Sequence, residues 1–435
     1  MEPVITTIQL ENGLKVMLKE IHTAPITSLW LWFRVGSRNE KPGSTGISHW
    51  TEHMQFKGTP RFPAEVIDKA VAREGGYRNA MTFLDWTTYF ETLPADKIEL
   101  AFDLEADRML NSLFKPEDVE SERTVIISER QGNENNPMFL LGEEVQAAAF
   151  RVHSYHHEVI GDLADLKTIT REDLYQHYHT HYVPSNAVLS VAGDFHTKEM
   201  LDRIHRYFKT IPEGTRQSTQ TRLEPRQPGE RRVIVEGPGE TTYVSAAYHA
   251  PAAREADFFA YLVTDSLLTG PSSLNLFSGG LSNKTSRLYR ALVEKELAVS
   301  VSGGLTATID PFLHNIVVTV HPEATSERVA AALEDEIKRL QDSPPPEAEL
   351  ARAVKQARAL FAYGSESITN QAFWMGYAEM FDTYSWFLNY LERLASVTPL
   401  DVQRIAQEYL RAGNRVLGVY LPTSTSQNTF EEATS

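Results

Sequence analysis

Residues 169–191 read ITREDLYQHYHTHYVPSNAVLSV, and residues 397–419 read VTPLDVQRIAQEYLRAGNRVLGV. The two stretches share Thr, Asp, Asn and Val-Leu at matching positions, and each pair is offset by 228 residues, as Ile169 is from Val397. In both, a Thr suited to a helix N-cap precedes a helical pattern, and the apolar run after the Asn is typical of a buried strand. A repeat at this spacing predicts a chain of two homologous halves.

The rest of the chain fits the same division. A stretch rich in Pro, Gly, Gln, Thr and Arg, residues 213–231, lacks apolar periodicity and is predicted to be a linker. We therefore expect halves at 1–212 and 232–422, with a flexible Ser/Thr-rich tail at 423–435. The expected strands include 87–92 and 315–320, and the expected amphipathic helices include 95–110, 325–340 and 347–362. This mixture predicts an α+β fold in which a mostly antiparallel sheet packs with helices in each half.

Composition excludes several classes of function. The chain has 42 Lys and Arg against 58 Asp and Glu, a net charge of −16, which disfavours nucleic acid and anionic lipid as partners. It has no cysteine, so a metal would have to be held by His and carboxylate ligands. No apolar run approaches the ~18 residues of a membrane span, and no export signal is visible at Met1. We expect a cytoplasmic protein without membrane insertion, although removal of an export signal would leave the same sequence.

The segment 49–53 reads HWTEH. A helix beginning near Thr45 would place His49 and His53 one turn apart on one face, a spacing suited to two metal-binding imidazoles. Glu52 would project beside them, where it can reach a water molecule rather than the metal. This is the inverted form of the common zinc-peptidase motif.

A hydrolytic zinc site needs a third protein ligand and an open position. Glu122 and Glu129 are seven residues apart, which on a helix places both on one face. One can bind the metal while the other supports a ligand histidine. Residue spacing alone leaves the choice between them open.

These motifs resemble the pitrilysin/insulinase family of inverzincin metallopeptidases, in particular its short branch that includes bacterial zinc proteases and mitochondrial processing peptidase. The matching stretches occur in the family's order along essentially the whole chain: Leu10 to Leu14, Gly36 to Glu40, Gly46 to Met54, Phe56 to Thr59, Gly75 to Thr82, Tyr89, Glu122 to Glu129, Gly161, and Tyr182 to Asn186.

The resemblance implies a zinc-dependent endopeptidase with one Zn²⁺ per chain. It assigns His49, His53 and Glu129 as metal ligands, Glu52 as general base and Glu122 as the carboxylate that supports a ligand. It also implies that a peptide substrate lies extended along an edge strand formed by Asn79, Ala80, Met81 and Thr82, consistent with recognition by strand addition. From the residues alone, Asn79 is equally suited to capping a turn.

The second half departs from the family pattern. Related chains carry an Arg and a Tyr seven residues apart that hold substrate carbonyls, whereas here Leu292 or Val293 and Val299 occupy those positions. Because loss of one oxyanion donor typically costs ~10²–10³ in turnover, we expect a homologous partner subunit to supply the pair, enclosing a chamber with this chain. The alternative is a homodimer that uses another donor, such as Arg287 or Tyr289.

Other signals carry less weight. His177, His179 and His181 alternate along a helix, which turns His179 away from the other two and favours a solvated helix end. His153, His156 and His157 are expected to be structural or to line the chamber. The alternative function is a non-catalytic structural or assembly subunit of the same fold, which the intact motif disfavours.

Overall fold

The computed structural model describes residues 5–215, 221–275 and 281–423. Its strands form two sheets, one in each half of the chain. The first sheet contains β1 (Thr6–Gln9), β2 (Lys15–Glu20), β3 (Ile26–Phe33), β4 (Tyr77–Thr82), β5 (Thr87–Pro94) and β6 (Ala187–Gly193). The second contains β7 (Arg231–Pro238), β8 (Tyr243–Ala250), β9 (Ala298–Gly304), β10 (Phe312–Val320) and β11 (Arg415–Thr423).

The two sheets have the same topology. Their strand orders are β1-β2-β6-β3-β5-β4 and β7-β11-β8-β10-β9, so the second repeats the first without its outermost strand β1. In each sheet one pair is parallel, β2 with β6 and β7 with β11, and the other pairs are antiparallel. The prediction of two homologous α+β halves with mostly antiparallel sheets is confirmed.

Helices cover these sheets. The first half supplies α1 (Ile47–Met54), α2 (Ala64–Arg73), α3 (Glu99–Asn111), α4 (Pro116–Asn133), α5 (Pro137–Ala149), α6 (Leu163–Leu166), α7 (Arg171–His181) and α8 (Thr197–Phe208). The second supplies α9 (Phe258–Leu268), α10 (Ser326–Asp342), α11 (Glu347–Tyr363), α12 (Ile368–Phe381), α13 (Tyr384–Leu388), α14 (Tyr390–Ala395) and α15 (Pro399–Glu408). The expected helices at 95–110, 325–340 and 347–362 are present as α3, α10 and α11.

The repeated stretches fold alike at atomic level. The hydroxyl of Thr170 donates to Asp173 Oδ2 at 2.6 Å and caps α7, and the hydroxyl of Thr398 donates to Asp401 Oδ2 at 2.6 Å and caps α15. Each Thr also accepts from the backbone N–H of its Asp, which satisfies amides that the first helical turn leaves free. The sequence repeat therefore reflects a repeated structure.

Strand β3 is buried along almost its whole length, and β6 along all of it. Strands with apolar residues on both faces occur where both faces of the sheet are covered. Leu29 and Leu31 face a core formed by the first half alone, whereas Trp30 and Trp32 face a core shared with the second half. The helix of the second half that covers Trp30 and Trp32 is α12, which lies across β3 and β6.

The exchange of helices is reciprocal. While α12 of the second half packs on the first sheet, α5 of the first half packs on β7, β8 and β11 of the second. Both contacts depend on a glycine: a Cβ at Gly376 would lie 2.1 Å from Nε1 of Trp32, and a Cβ at Gly418 would lie 2.4 Å from Cγ2 of Val145. A helix and a sheet can approach this closely only where one of them has no side chain.

A buried polar network adds to this junction. Arg38 donates through Nε to Oδ2 of Asp310 at 2.7 Å, and Asp85 accepts from the hydroxyl of Tyr155 at 2.7 Å and from the backbone N–H of Ile309 at 2.8 Å. Burial raises the pKa of Asp85 to about 6. These bonds fix the loop before β10 against the first half, close to the sequence that leads into α1.

The proposed boundaries at 212, 231 and 422 stay predictions. Residues 216–220 of the expected linker lie outside the described residues, and Arg231 belongs to β7. Residues 424–435 of the expected tail lie outside the described residues, and Thr423 belongs to β11. Within the described ranges, no helix is long and apolar enough to cross a membrane.

The close approach at Gly376 gives a test of the exchange. We expect Gly376→Ala to lower the free energy of unfolding by about 1–3 kcal/mol, because the added methyl group overpacks the contact with Trp32. Urea unfolding of the whole chain measures this. Gly142→Ala on α5 is the matched control: its Cβ would meet nothing within 4 Å, so the substitution should be neutral or stabilise by up to about 1 kcal/mol. Equal stability of the two variants would contradict the tight packing.

Candidate metal centre

The helix that carries the HWTEH segment begins in an unusual way. Gly46 is its N-cap at φ +86°, a conformation that favours glycine, and no side chain of its own caps the helix. Instead, the buried carboxylate of Glu40 accepts from the backbone N–H groups of Gly46 and Ser48, both at 2.8 Å. Nε2 of His157 lies 2.8 Å from the same carboxylate. A carboxylate from the segment that precedes α1 thus fixes the start of the helix, where the helix dipole favours an anion.

A second segment, which runs from Gly161 into α6, holds the same point. Oδ2 of Asp165 accepts from the hydroxyl and the backbone N–H of Thr45, at 2.7 and 2.9 Å. Gly161, at φ +83°, lies so close that a Cβ there would be 2.3 Å from the Thr45 carbonyl oxygen. Gly161 also accepts at its carbonyl from Nη1 of Arg130 on α4. This segment therefore ties α1 to α4, the helix that carries Glu122 and Glu129.

His49, His53 and Glu129 come together between α1 and α4. Nε2 of His49 lies 4.0 Å from Oε2 of Glu129, and Nε2 of His53 lies 3.7 Å from the same oxygen. The two imidazole rings are 4.5 Å apart between centroids. Among the described residues, this is one of two groups of His and carboxylate whose ligand atoms all lie within 4.8 Å of one another.

The donor set fits zinc. With metal–ligand bonds of ~2.0–2.2 Å, tetrahedral geometry separates ligand atoms by roughly 3.4 Å, close to the distances found. Burial lowers the pKa of His49 to about 3, with a smaller effect from His53, so its imidazole stays neutral and keeps a lone pair for a metal. Nδ1 of His49 is buried and has no hydrogen-bond partner in the described parts of the chain. Two imidazoles and one carboxylate are also a ligand set of hydrolytic zinc sites.

Glu122 lies on the other side of His53. Its Oε1 is 2.8 Å from Nδ1 of His53, and Nζ of Lys57 is ion-paired with its Oε2. An acceptor at Nδ1 fixes the ring so that Nε2 faces the centre. Spacing alone did not distinguish the two glutamates, but their positions differ: Glu129 faces the Nε2 atoms and Glu122 faces Nδ1. Lys57 has a role that the sequence did not suggest.

Glu52 is buried beside the two histidines. Burial raises the pKa of its carboxyl group to about 7, although a hydrogen bond from Thr82 opposes that effect. The Thr82 hydroxyl donates to Oε2 of Glu52 at 2.6 Å. The side chain is therefore held in place in a dry environment, where a carboxylate is a stronger base than in water.

Thr82 belongs to the strand expected to bind substrate. Residues Asn79, Ala80, Met81 and Thr82 form the end of β4, which is the edge strand of the first sheet and pairs with β5. The last residue of this edge strand thus contacts Glu52. Asn79 is exposed, and its Oδ1 accepts from the backbone N–H of Ala80. This local bond is compatible with both expectations for Asn79, contact with substrate and capping of a turn.

The corresponding run of the second half has no equivalent of this site. Leu292 is buried in a π-helical turn at 289–293, and Val299 is 58% exposed on β9, the edge strand that matches β4. Arg287, one of the two alternative donors, is held by two hydrogen bonds to Glu349 at 2.9 and 2.7 Å, and Tyr289, the other, is the first residue of the π-helical turn. The positions of the family's Arg and Tyr are therefore occupied here by Leu292 and Val299, which cannot hold substrate carbonyls.

The other histidines partly meet expectation. His179 is exposed and points away from His177 and His181, as predicted. A solvated helix end is wrong for those two, because they are half-buried with ring centroids 4.6 Å apart, and Nε2 of His177 lies 3.3 Å from the Ser48 hydroxyl. The loop histidines are structural: His153 contacts Asp310, and His157 contacts Glu40.

The chain thus combines a two-half α+β fold with a His-His-Glu group on its first half. Comparison with known proteins agrees. Residues 15–163 match the family described as insulinase (peptidase family M16), and residues 168–357 match the peptidase M16 inactive domain. The chain belongs to the insulinase family, peptidase family M16.

Relatives cover most of the chain. It is 25% identical over 411 residues to the zinc protease PqqE of Helicobacter pylori, covering 93% of this chain and 90% of that protein. It is 27% identical over 296 residues to a probable mitochondrial-processing peptidase subunit beta of Arabidopsis thaliana, covering 67% of this chain and 55% of that protein. The crystal structure of a protease from Helicobacter pylori superposes with a TM-score of 0.89 at 25% identity, covering 97% of this chain and all of that one.

The ligand assignment predicts a loss of metal. We expect Glu129→Gln to lower zinc retention sharply, because an amide is neutral and a poorer zinc ligand than a carboxylate. Elemental analysis after dialysis against a weak chelator measures the bound zinc. Glu117→Gln, an exposed position at the start of the same helix, is the control and should retain zinc as the unaltered chain does. Equal zinc in the two variants would contradict a role for Glu129.

Proposed function

We propose that this chain is a zinc-dependent endopeptidase that hydrolyses peptides or unstructured polypeptides. The observation that carries the proposal is the convergence of His49, His53 and Glu129 on one point, with the buried Glu52 beside them. His49, His53 and Glu129 are the proposed ligands of one zinc ion. When bound, zinc would supply a Lewis acid that polarises a carbonyl group and lowers the pKa of water.

The residues of the chain then have separate tasks. Glu52 removes a proton from the attacking water and returns it to the leaving amine, and its dry surroundings favour both steps. The Thr82 hydrogen bond keeps its carboxylate at one position. Glu122 and Lys57 hold the ring of His53, while Glu40 fixes the start of the helix that bears both histidines.

The substrate is proposed to bind along β4. The outer side of this edge strand offers backbone N–H and C=O groups, so a peptide can pair with it through main-chain bonds and need not have one particular sequence. A polypeptide must be extended to pair in this way, which favours peptides and unfolded chains over folded proteins. Because Thr82 ends the same strand, a peptide paired there is delivered beside Glu52.

The decisive variant is Glu52→Gln. We expect it to keep its zinc and to lose cleavage of an unstructured peptide by ~10²–10⁴-fold or more, because the amide cannot accept the proton. Zinc content and turnover are measured on the same sample. Glu65→Gln, at an exposed position on α2, should retain both. Full turnover by Glu52→Gln would refute Glu52 as the general base. No cleavage by the unaltered zinc-loaded chain, alone or with a partner, would refute the peptidase and favour the non-catalytic structural or assembly subunit.

We further propose that this chain is the metal-bearing subunit of a two-subunit peptidase. Support comes from the absence of an Arg/Tyr pair at Leu292 and Val299, and from a relative named as a subunit of a processing peptidase. The homologous partner would supply the two side chains that hold substrate carbonyls. A homodimer stays the alternative, although Arg287 is already paired with Glu349.

The partner is tested by comparing the isolated chain with a co-expressed homologous chain that carries the Arg/Tyr pair. We expect turnover to rise by ~10²–10³-fold in the mixture, the usual contribution of an oxyanion donor. The control partner has its Tyr replaced by Phe and should give no rise. Equal turnover by the isolated chain and the mixture would remove the two-subunit proposal while leaving the peptidase intact.

A further inference from the structure

The second group of His and carboxylate among the described residues lies at one end of the first sheet, where β2 and β6 end. It comprises Glu20, His22 and His196, whose ligand atoms all lie within 4.8 Å of one another. Glu20 ends β2, and His196 precedes α8 after β6. Because β2 and β6 are parallel neighbours, their carboxyl ends meet at the same edge of the sheet. This group shares no residue with the centre formed by His49, His53 and Glu129.

The arrangement around His22 parallels that around His53. Nδ1 of His22 lies 2.6 Å from Oδ1 of Asp194, as Nδ1 of His53 lies 2.8 Å from Glu122. Nε2 of His22 lies 3.4 Å from Oε2 of Glu20, as Nε2 of His53 lies 3.7 Å from Glu129. A carboxylate at one ring nitrogen and a second carboxylate near the other is the pattern of an oriented metal ligand.

The backbone holds these side chains in place. Ile21 donates its N–H to the Gly193 carbonyl at 2.8 Å, and Asp194 donates its N–H to the Ile26 carbonyl at 3.0 Å. Oε1 of Glu20 accepts from the backbone N–H of Thr197 at 2.6 Å, which leaves Oε2 directed towards His22. The loops are therefore fixed before any ion binds, which lowers the entropic cost of binding.

We propose that Glu20, His22 and His196 form a second binding site for zinc or a similar borderline divalent cation, with Asp194 orienting His22. Imidazole and carboxylate ligands suit zinc, and the 3.4 Å separation matches two ligands on one tetrahedral ion. Three protein ligands leave one position for water. Half of the His22 side chain is exposed, so an ion reaches the site directly from solvent. Bound there, it would tie the loop after β2 to the start of α8.

The test is the number of zinc ions bound per chain. We expect His22→Ala combined with His196→Ala to bind one zinc ion fewer than the unaltered chain, measured by equilibrium dialysis and elemental analysis. His179→Ala combined with His205→Ala removes two exposed histidines elsewhere and should bind the full number. Unchanged stoichiometry in the first variant would overturn the site. Peptide cleavage should be unaffected in both variants.

Two further variants separate this site from the proposed catalytic centre. Glu129→Gln should keep the second ion, and added zinc should still raise its melting temperature; adding His22→Ala and His196→Ala should abolish that rise. Asp194→Asn should weaken the second ion by ~10–100-fold without removing a ligand. If the chain proves not to be a peptidase, these binding results are unaffected. If zinc stabilises the combined variant as strongly as Glu129→Gln, the second site is wrong.

Discussion

The architecture depends on one constraint: each sheet has two apolar faces, and its own half does not supply a cover for both. Trp30 and Trp32 on β3 are covered by α12 from the second half, and the second sheet is covered by α5 from the first in the same way. The glycines at 376 and 418 permit the close contacts. The two halves therefore stabilise each other through their cores rather than through a surface interface.

The candidate metal centre depends on that shared core indirectly. Its helix α1 is held by Glu40, whose loop is continuous with Arg38, and Arg38 is bonded to Asp310 of the second half. The geometry at His49 and His53 thus rests on a chain of polar contacts that crosses the junction. The described residues of the second half form no comparable group of His and carboxylate, yet that half still contributes to the positions of His49 and His53 in the first.

Much of the fold was predictable because local patterns determine it. The Thr-Asp caps at Thr170 and Thr398 are encoded within four residues, and the helical spacing of His49 and His53 placed them on one face. What could not be predicted depends on distant parts of the chain. Apolar periodicity shows that a face is buried but does not identify its cover, so the exchange of α5 and α12 was missed.

The same limit applies to the site. Glu40 lies in a stretch that matches the family, yet nothing in its spacing indicates that it caps α1, because the carboxylate reaches the helix across a loop. Thr82 was expected to contact substrate, and its hydrogen bond to Glu52 appears only when β4 is placed beside α1. The role of Glu122 was open for a similar reason: helical spacing fixes which face it occupies, but not which nitrogen of His53 it meets.

The exchange of helices also determines when the first sheet is completed during synthesis of the chain. Every strand of the first sheet is made before α12, and at translation rates of ~5–20 residues per second the interval is on the order of ten seconds or more. During that time Trp30 and Trp32 lack their cover, so the nascent chain presents an aromatic face that resembles a chaperone substrate. The exchange of helices thus stabilises the finished protein, but it leaves this aromatic face without its cover while the chain is being synthesised.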